Sequence, residues 1–412
     1  MSIKNKTNAA LSLFFLIFTL AFPGEKKEFT LSEIISIGLE NNPLLLAKFH
    51  ETNAKKAALQ ASRRLLNPEL EFYIGQGTPL DSTTQRKTDG VSLSQPIENP
   101  FKRYYRVQMH ENEWRATEYR YNSSRLELTY EIKKLFYKVL LLHDIENLAQ
   151  KNLNSLQETH QLIEKRVKLG ETKELEAIKL HVETLKAQNE LNKIKIELKL
   201  AKENLNKFLG NMLPPDFSII GKLGFIPLFI EEESLLNKAF LSHPLIKEKE
   251  TELEFAKNSL SFVKWQRLPD FTLSGFIHNE LDGKNKGIGI SLDIPLWNFK
   301  SKEIAEAQSL LQKQNEELKA LRMELRTDIR AKLYTLRLTE QTLKLFHKGL
   351  LKQAEESLKI SDVSYKQGEI SLIEFLDSQR TYFSILKDYQ DSLYSWKTDK
   401  ASLEKAIGEE LK

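Results

Sequence analysis

The chain is a tandem repeat, and this constrains its fold more than any other feature. Pro43 recurs 201 positions later as Pro244, and Pro68 recurs at the same offset as Pro269. One offset shared by two landmarks indicates a duplication of about 200 residues, so each half is expected to adopt the same fold. The predicted units cover residues 25–222 and 223–412.

The correspondence continues along both halves with a small drift. Pro96 matches Pro295 at an offset of 199, and Gly170 matches Gly368 at an offset of 198. A few deleted loop residues account for the drift. The two glycines fall where a pair of antiparallel helices must reverse direction, a position that glycine favours.

Each half follows the pattern helix, two short strands and two long helices. Leu336, Leu343 and Leu350 keep a seven-residue spacing, which is typical of coiled-coil packing. The sequence therefore predicts a mainly α fold with a small β part. The predicted strands cover about 68–76, 90–97, 269–277 and 287–295, and the predicted long helices cover about 101–167, 173–208, 301–366 and 371–408.

The predicted strands alternate in polarity. Leu70, Phe72 and Ile74 alternate with Glu69 and Glu71, which gives one apolar and one polar face. A sheet that covers a soluble core shows the same alternation. Strands of about nine residues joined by long polar loops are, however, typical of transmembrane β-barrels.

Two hairpins give only four strands per chain, which are too few to close a barrel, and unpaired strand edges are not tolerated in lipid. We therefore expect the chain to oligomerise. A trimer supplies twelve strands, an even number within the range of outer-membrane barrels. It also brings together enough long helices to continue the wall as an α-helical coiled-coil barrel.

Residues 1–24 are predicted to be an export signal. Lys4 and Lys6 precede an apolar run over residues 9–22 that is too short to span a membrane comfortably. The alternative is a short buried helix. Export places the rest of the chain outside the cytoplasm, and the absence of cysteine excludes disulfides and a lipidated N-terminal cysteine.

The sequence contains no pattern typical of catalysis or nucleic-acid binding. Its 61 basic and 57 acidic residues leave a net charge of +4 without a basic block, so nucleic acid is not an expected partner. Metalloprotease, serine-hydrolase and phosphate-loop motifs are absent, and the eight histidines do not cluster at metal-ligand spacing. We therefore expect no enzymatic activity, no cofactor and no metal site.

Taken in order and twice over, these features resemble the TolC outer-membrane factor family from about Phe29 to Gly408. The resemblance rests on the duplicated unit, the prolines that open and close strands, and the glycine-bearing helix reversals. It implies a homotrimer with a twelve-stranded β-barrel in the outer membrane, continued across the periplasm by an α-helical barrel. It also implies two protein partners, a periplasmic adaptor (membrane fusion) protein and an inner-membrane pump of the resistance-nodulation-division type.

The implied function is the exit duct of a tripartite efflux or type I secretion system. The helix-reversal tips at Gly170, Glu171, Gly368 and Glu369 would then dock the adaptor. The alternative is a non-channel periplasmic coiled-coil adaptor or scaffold. Such a protein would place a Gly-rich, mostly β domain beside a single helical hairpin, so the duplication favours the channel.

Residues 367–377 are similar to the tip-proximal stretch in which the family places two acidic residues around a constricted pore. The resemblance assigns this role to Glu374 and Asp377. Carboxylates at positions i and i+3 share one helix face, and threefold symmetry would place six of them around the lumen, attracting cations. The alternative is a solvated helix face. Ile370 stands where some members have a basic residue that helps to latch the closed pore.

Residues 94–103 are similar to members that serve cobalt-zinc-cadmium type cation efflux. The alternative is that this run only ends a strand and begins a helix. The sequence therefore includes heavy-metal export among the expected functions without selecting the transported solute.

Overall fold

A computed structural model describes residues 28–81, 83–295 and 297–411. The predicted export signal over residues 1–24 lies outside these ranges. The described chain is mainly helical with a small sheet, and both halves repeat one order of long elements. The predicted fold class, a duplicated unit of helix, hairpin and long helices, is confirmed.

The first half begins with a two-residue strand and ends with the longest helical pair. Its elements are β1 (Glu28–Phe29), α1 (Leu31–Asn41), α2 (Pro43–Ser62), β2 (Glu69–Gly77), β3 (Arg86–Ile97), α3 (Pro100–Lys168) and α4 (Glu174–Phe208).

The second half repeats this order. Its elements are β4 (Ser218–Ile219), α5 (Glu232–Ser242), α6 (Pro244–Trp265), β5 (Phe271–Glu280), β6 (Gly283–Leu292), α7 (Ser301–Leu345), α8 (Leu351–Gln367) and α9 (Leu372–Ile407).

The two hairpins join into one antiparallel sheet with the strand order β2-β3-β5-β6. β3 of the first half pairs with β5 of the second half, with Leu93 opposite Gly275. The short strands β1 and β4 pair in parallel elsewhere, with Phe29 opposite Ile219. The sheet therefore joins the two halves side by side.

α3 is a single helix of 69 residues, about 100 Å long at 1.5 Å per residue. The side chain of Asn99 caps its start by accepting a hydrogen bond from the Phe101 amide at 3.0 Å. Pro100 occupies the first turn, where a missing amide donor costs nothing. A helix this long needs neighbours for stability, and α3 packs against α2, α4, α6 and α9.

The corresponding rod of the second half is broken. Where the sequence predicts one helix over residues 301–366, a π-helical turn at Phe346–Leu350 separates α7 from α8. Gly349 in this turn has a φ of 137°, which a residue with a Cβ adopts only with strain. Leu343 is fully buried but Leu350 is 40% exposed, so the packing stripe inside the protomer does not continue to Leu350.

Two hydrophobic clusters hold the helices together. The main core lies where α3, α4, α7 and α9 meet and contains the fully buried Phe136, Leu333 and Trp396. A smaller one, which we call the tip cluster, consists of Leu156, Ile163, Leu180, Tyr365, Leu372, Phe375 and Leu376. Within the described ranges, no helix has both the length and the apolar composition needed to cross a membrane.

Candidate functional site

One face of the four-stranded sheet is apolar and exposed in the protomer. Directly paired residues of antiparallel strands project to the same side, and Leu70 pairs with Leu93 as Phe271 pairs with Leu292. The apolar sheet face comprises Leu70, Phe72, Ile74, Val91, Leu93, Phe271, Leu273, Ile277, Ile288, Ile290 and Leu292. Ile74 is 86% exposed and Ile288 is 81% exposed. A soluble monomer rarely exposes so large an apolar surface, so this face is suited to an apolar environment.

The opposite face of the sheet is polar. Its side chains include Glu71, Ser92, Ser94, Thr272 and Ser274. The Ser92 hydroxyl donates to the Glu71 carboxylate across the strand pair at 3.3 Å. The sheet thus separates an apolar side from a side that is suited to water.

The outer strands β2 and β6 each leave one edge unpaired within the described chain. The amide and carbonyl groups along a free edge must find water or another strand. In a lipid environment, which lacks water, only another strand could satisfy them. The edges of β2 and β6 are therefore positions where further strands can pair.

The helices have the same two-edged arrangement as the sheet. α4 packs on α3, α3 packs on α9, and α9 packs on both α7 and α8. α4 therefore lies at one edge of the helical layer, and the rod formed by α7 and α8 lies at the other.

Both edge rods carry apolar side chains that point away from the protomer. The α4 stripe consists of Leu175, Ile178, Val182, Leu185, Ile196 and Leu200, and the α7–α8 stripe consists of Met323, Tyr334, Leu338, Leu345, Ile360 and Val363. On α4 the buried positions are instead Leu180, Leu191, Ile194 and Leu205. The first four residues of the α4 stripe, Leu175 to Leu185, therefore do not pack inside the protomer.

The helix reversals at the two tips are closed by the same backbone motif. Gly170 and Gly368 have φ values of 76° and 79°. The amide of Glu171 donates to the Arg166 carbonyl and the amide of Glu369 donates to the Ser364 carbonyl, both at 2.9 Å, as in a Schellman cap. No atom lies within 4 Å of a Cβ built on either glycine, so both turns project into open space.

A hydrogen bond joins the two tips. The Arg166 guanidinium donates to the Lys366 carbonyl at 2.8 Å. The four residues predicted for adaptor docking therefore lie at adjacent turns on the same end of the molecule.

The acidic pair Glu374 and Asp377 lies on the exposed face of the first turns of α9. Glu374 also has a structural role. Its carboxylate accepts hydrogen bonds from the Ser371 amide at 2.7 Å and the Ser371 hydroxyl at 2.9 Å, while the hydroxyl accepts from the Glu374 amide. These bonds form a capping box and hold the pKa of Glu374 below its usual range.

Polar contacts that the sequence does not indicate fix this segment against the first half. The Gln379 amide, which is 2% exposed, donates to the Asn152 side chain at 3.1 Å. The Arg380 guanidinium pairs with the Glu183 carboxylate at 2.9 Å. Ile370, at the place of the basic latch residue, packs against the tip cluster instead. These contacts fix the start of α9, which carries the acidic pair, against the first half of the chain.

The proline landmarks take three different positions. Pro43 and Pro244 begin α2 and α6, and Pro68 directly precedes β2. Pro269 lies two residues before β5.

The prolines that close the strands differ between the halves. Pro96 lies inside β3, opposite Thr272, whereas β6 ends at Leu292, three residues before Pro295. In the part of the chain that the structure describes, no group of three His, Asp or Glu side chains could hold a metal ion.

Comparison with known proteins agrees with this architecture. The sequence profile of the family described as outer membrane efflux protein matches residues 34–211 and 235–409. The cobalt-zinc-cadmium resistance protein CzcC of Cupriavidus metallidurans is 22% identical over 356 residues, which cover 86% of this chain and 84% of CzcC. The outer membrane protein TolC of Vibrio cholerae is 21% identical over 406 residues, which cover 92% of this chain and 90% of TolC.

A solved structure of CusC has the same fold. It superposes with a TM-score of 0.78 at 17% identity, over 95% of this chain and 96% of that of CusC. The resemblance to TolC-like outer-membrane factors, including the cation-efflux branch, is confirmed. Because the profile matches most of both halves, the chain belongs to the outer membrane efflux protein family.

Proposed function

We propose that the protein is the outer-membrane exit duct of a tripartite efflux system and works as a homotrimer. The observation that carries this proposal is the open four-stranded sheet with one exposed apolar face and two unpaired edges. Three copies give twelve strands, and closing them into a barrel satisfies every edge and turns the apolar face toward lipid.

The arrangement of edges supports a head-to-tail ring. The sheet offers β2 at one edge and β6 at the other, and the helical layer offers α4 and the α7–α8 rod. When β6 of one copy pairs with β2 of the next, the α7–α8 stripe meets the neighbour's α4 stripe. Such heterologous contacts close into rings, and the same contact covers both apolar stripes.

This assembly places the sheet in the outer membrane and the long helices in the periplasm. Residues 1–24 would direct export, and residues 25–222 and 223–412 would form the two repeats of the duct. The duct conducts passively and performs no catalytic step, because its partners supply the energy.

The tip is the end that meets the partners. Gly170, Glu171, Gly368 and Glu369 would dock a periplasmic adaptor, which links the duct to an inner-membrane pump of the resistance-nodulation-division type. Glu374 and Asp377 would ring the pore there and favour cations. The relative CzcC is named for cobalt, zinc and cadmium resistance, which supports divalent metal cations as the transported class.

Two measurements on the purified full-length protein test the proposal. Light scattering with the detergent mass subtracted gives the oligomeric state, and planar bilayers give the conductance. A trimer with discrete, cation-preferring conductance steps is expected. A monomer that never inserts would favour the coiled-coil scaffold, the alternative that leaves the apolar sheet face unexplained.

A further inference from the structure

A cleft of about 650 Å³ lies where the sheet of the first half meets its helices. The connection between α2 and β2 forms one wall, with Leu65 and Leu66, and the end of β3 and the start of α3 form the other, with Ile97 and Tyr104. Leu65 is 72% exposed and Tyr104 is 57% exposed. The walls of the cleft are therefore apolar and open to the surroundings.

The cleft is continuous with the apolar sheet face. Ile97 pairs with Phe271, and Gln95 pairs with Leu273, so both lining residues project to the same side of the sheet as that face. Trp297, which is 96% exposed, follows β6 at the same end of the sheet. Exposed aromatic side chains at strand ends are typical of a membrane interface.

Two arginines line the same cleft without a carboxylate partner. Among the described residues, no Asp or Glu forms an ion pair with Arg64 or Arg103, and the Arg103 guanidinium is fixed by donating to the Arg63 carbonyl at 2.6 Å. The one carboxylate in the lining, Glu98, is already engaged by Arg106 through two bonds of 3.0 and 2.6 Å. The cleft therefore offers two uncompensated cations beside apolar walls.

We propose that this cleft binds an anionic phospholipid from the periplasmic leaflet of the outer membrane. Arg64 and Arg103 bind the phosphate of the headgroup, and the acyl chains pass Leu65 and Ile97 onto the apolar sheet face. The occupant is amphipathic because the cleft is cationic on one side and continuous with the lipid-facing surface on the other. The inference rests on the proposed function, since that function makes the helical end of the sheet the periplasmic one.

Native mass spectrometry of the detergent-solubilised full-length protein tests the site. Phosphatidylglycerol and phosphatidylcholine with identical acyl chains are added separately, and the bound fraction per protomer is measured. Phosphatidylglycerol is expected to bind about tenfold more tightly, and Arg64→Gln combined with Arg103→Gln should bring the two lipids to near equality.

The matched control is Lys87→Gln combined with Lys284→Gln, which removes the same charge at the opposite end of the sheet. It should keep the wild-type preference. Equal binding of both lipids to the wild type, or an equal loss in the control and the arginine variant, would overturn the proposal.

Conductance of the same preparations separates this inference from the proposed function. Conducting trimers without a phosphatidylglycerol preference would refute the lipid site and still support the proposed duct. A phosphatidylglycerol preference that depends on the two arginines, in a protein that forms no channel, would refute the proposed duct and still support the lipid site.

Discussion

Asn42 and His243 perform the same task in the two halves of the chain. Asn42 caps α2 by accepting from the Leu44 amide at 3.0 Å, and its side-chain nitrogen donates to the Phe208 carbonyl at 2.9 Å. His243 caps α6 through Nδ1, which accepts from the Leu245 amide at 3.2 Å, while Nε2 lies 3.3 Å from the Lys405 carbonyl. Each residue thus ties the start of one helix to the end of the returning helix of its half.

The contacts made by Asn42 and His243 differ in their response to pH. A histidine that accepts through Nδ1 and donates through Nε2 is neutral, and burial lowers the pKa of His243. A backbone bond to Lys405 and the charge of Asp328 oppose this shift, and the charge of Lys332 adds to it.

We therefore expect the protein to lose thermal stability as the pH falls below about 6.5, the pKa of an unperturbed histidine. The unfolded chain binds the proton more readily than the folded one, so the contribution of His243 is complete above this pH and lost below it. His243→Asn should weaken the dependence by copying the first half, and Asn42→His should strengthen it. Circular dichroism melts at several pH values measure both effects, and parallel curves for all three proteins would contradict the prediction.

The proposed role of Glu374 and Asp377 in cation preference can be tested without disrupting the start of α9. Glu374→Gln combined with Asp377→Asn should raise conductance and weaken cation preference, because glutamine can keep the capping box with Ser371 while the charges are lost. Planar-bilayer conductance and reversal potentials in a salt gradient give the result.

Glu374→Ala is the contrasting variant, since it also removes the side chain that accepts from the Ser371 amide in the capping box. It should lower the melting temperature where Glu374→Gln does not. Unchanged selectivity in the doubly neutral variant would assign the pair to a solvated helix face.

The positive φ of Gly349, in the turn between α7 and α8, leads to a prediction about stability. Gly349→Ala should destabilise the protein by about 1–3 kcal/mol, because the φ of 137° strains any residue with a Cβ even though open space surrounds the site. Gly224→Ala is the matched control, since its surroundings are equally open and its φ is not in the positive range. Denaturant unfolding compares the two, and equal losses would show that the backbone at Gly349 is not strained.

The α4 stripe should decide whether the trimer forms. Leu185, 57% exposed in the protomer, is expected to be covered in the ring, so Leu185→Glu should shift the protein toward monomers. Gln188→Glu adds the same charge one turn away and beside the stripe, and it should leave the trimer intact. Light scattering gives the masses, and a trimeric Leu185→Glu protein would place the neighbouring copy elsewhere.

The sequence is sufficient to predict the duplication, the strand alternation and the two glycine turns, because each depends on local chemistry that repeats at a fixed offset. It misses the break at Phe346–Leu350 because one glycine in a heptad pattern does not reveal its φ. It also cannot tell which apolar residues of α4 face the protomer, since Leu180 and Leu185 differ only in what covers them. The capping role of Glu374 is readable from Ser371 three residues earlier.

The break in the α7–α8 rod also makes the two repeats of each chain different on the surface that a partner would contact. Six similar repeats around a ring would present six nearly equivalent sites to an adaptor. In the proposed trimer the continuous α3 and the interrupted α7–α8 rod would alternate around the ring, so a partner that contacts the rods would find three sites of each kind rather than six equivalent ones. An adaptor could therefore bind beside either a continuous or an interrupted rod, even though the tip turns of the two repeats have the same backbone motif.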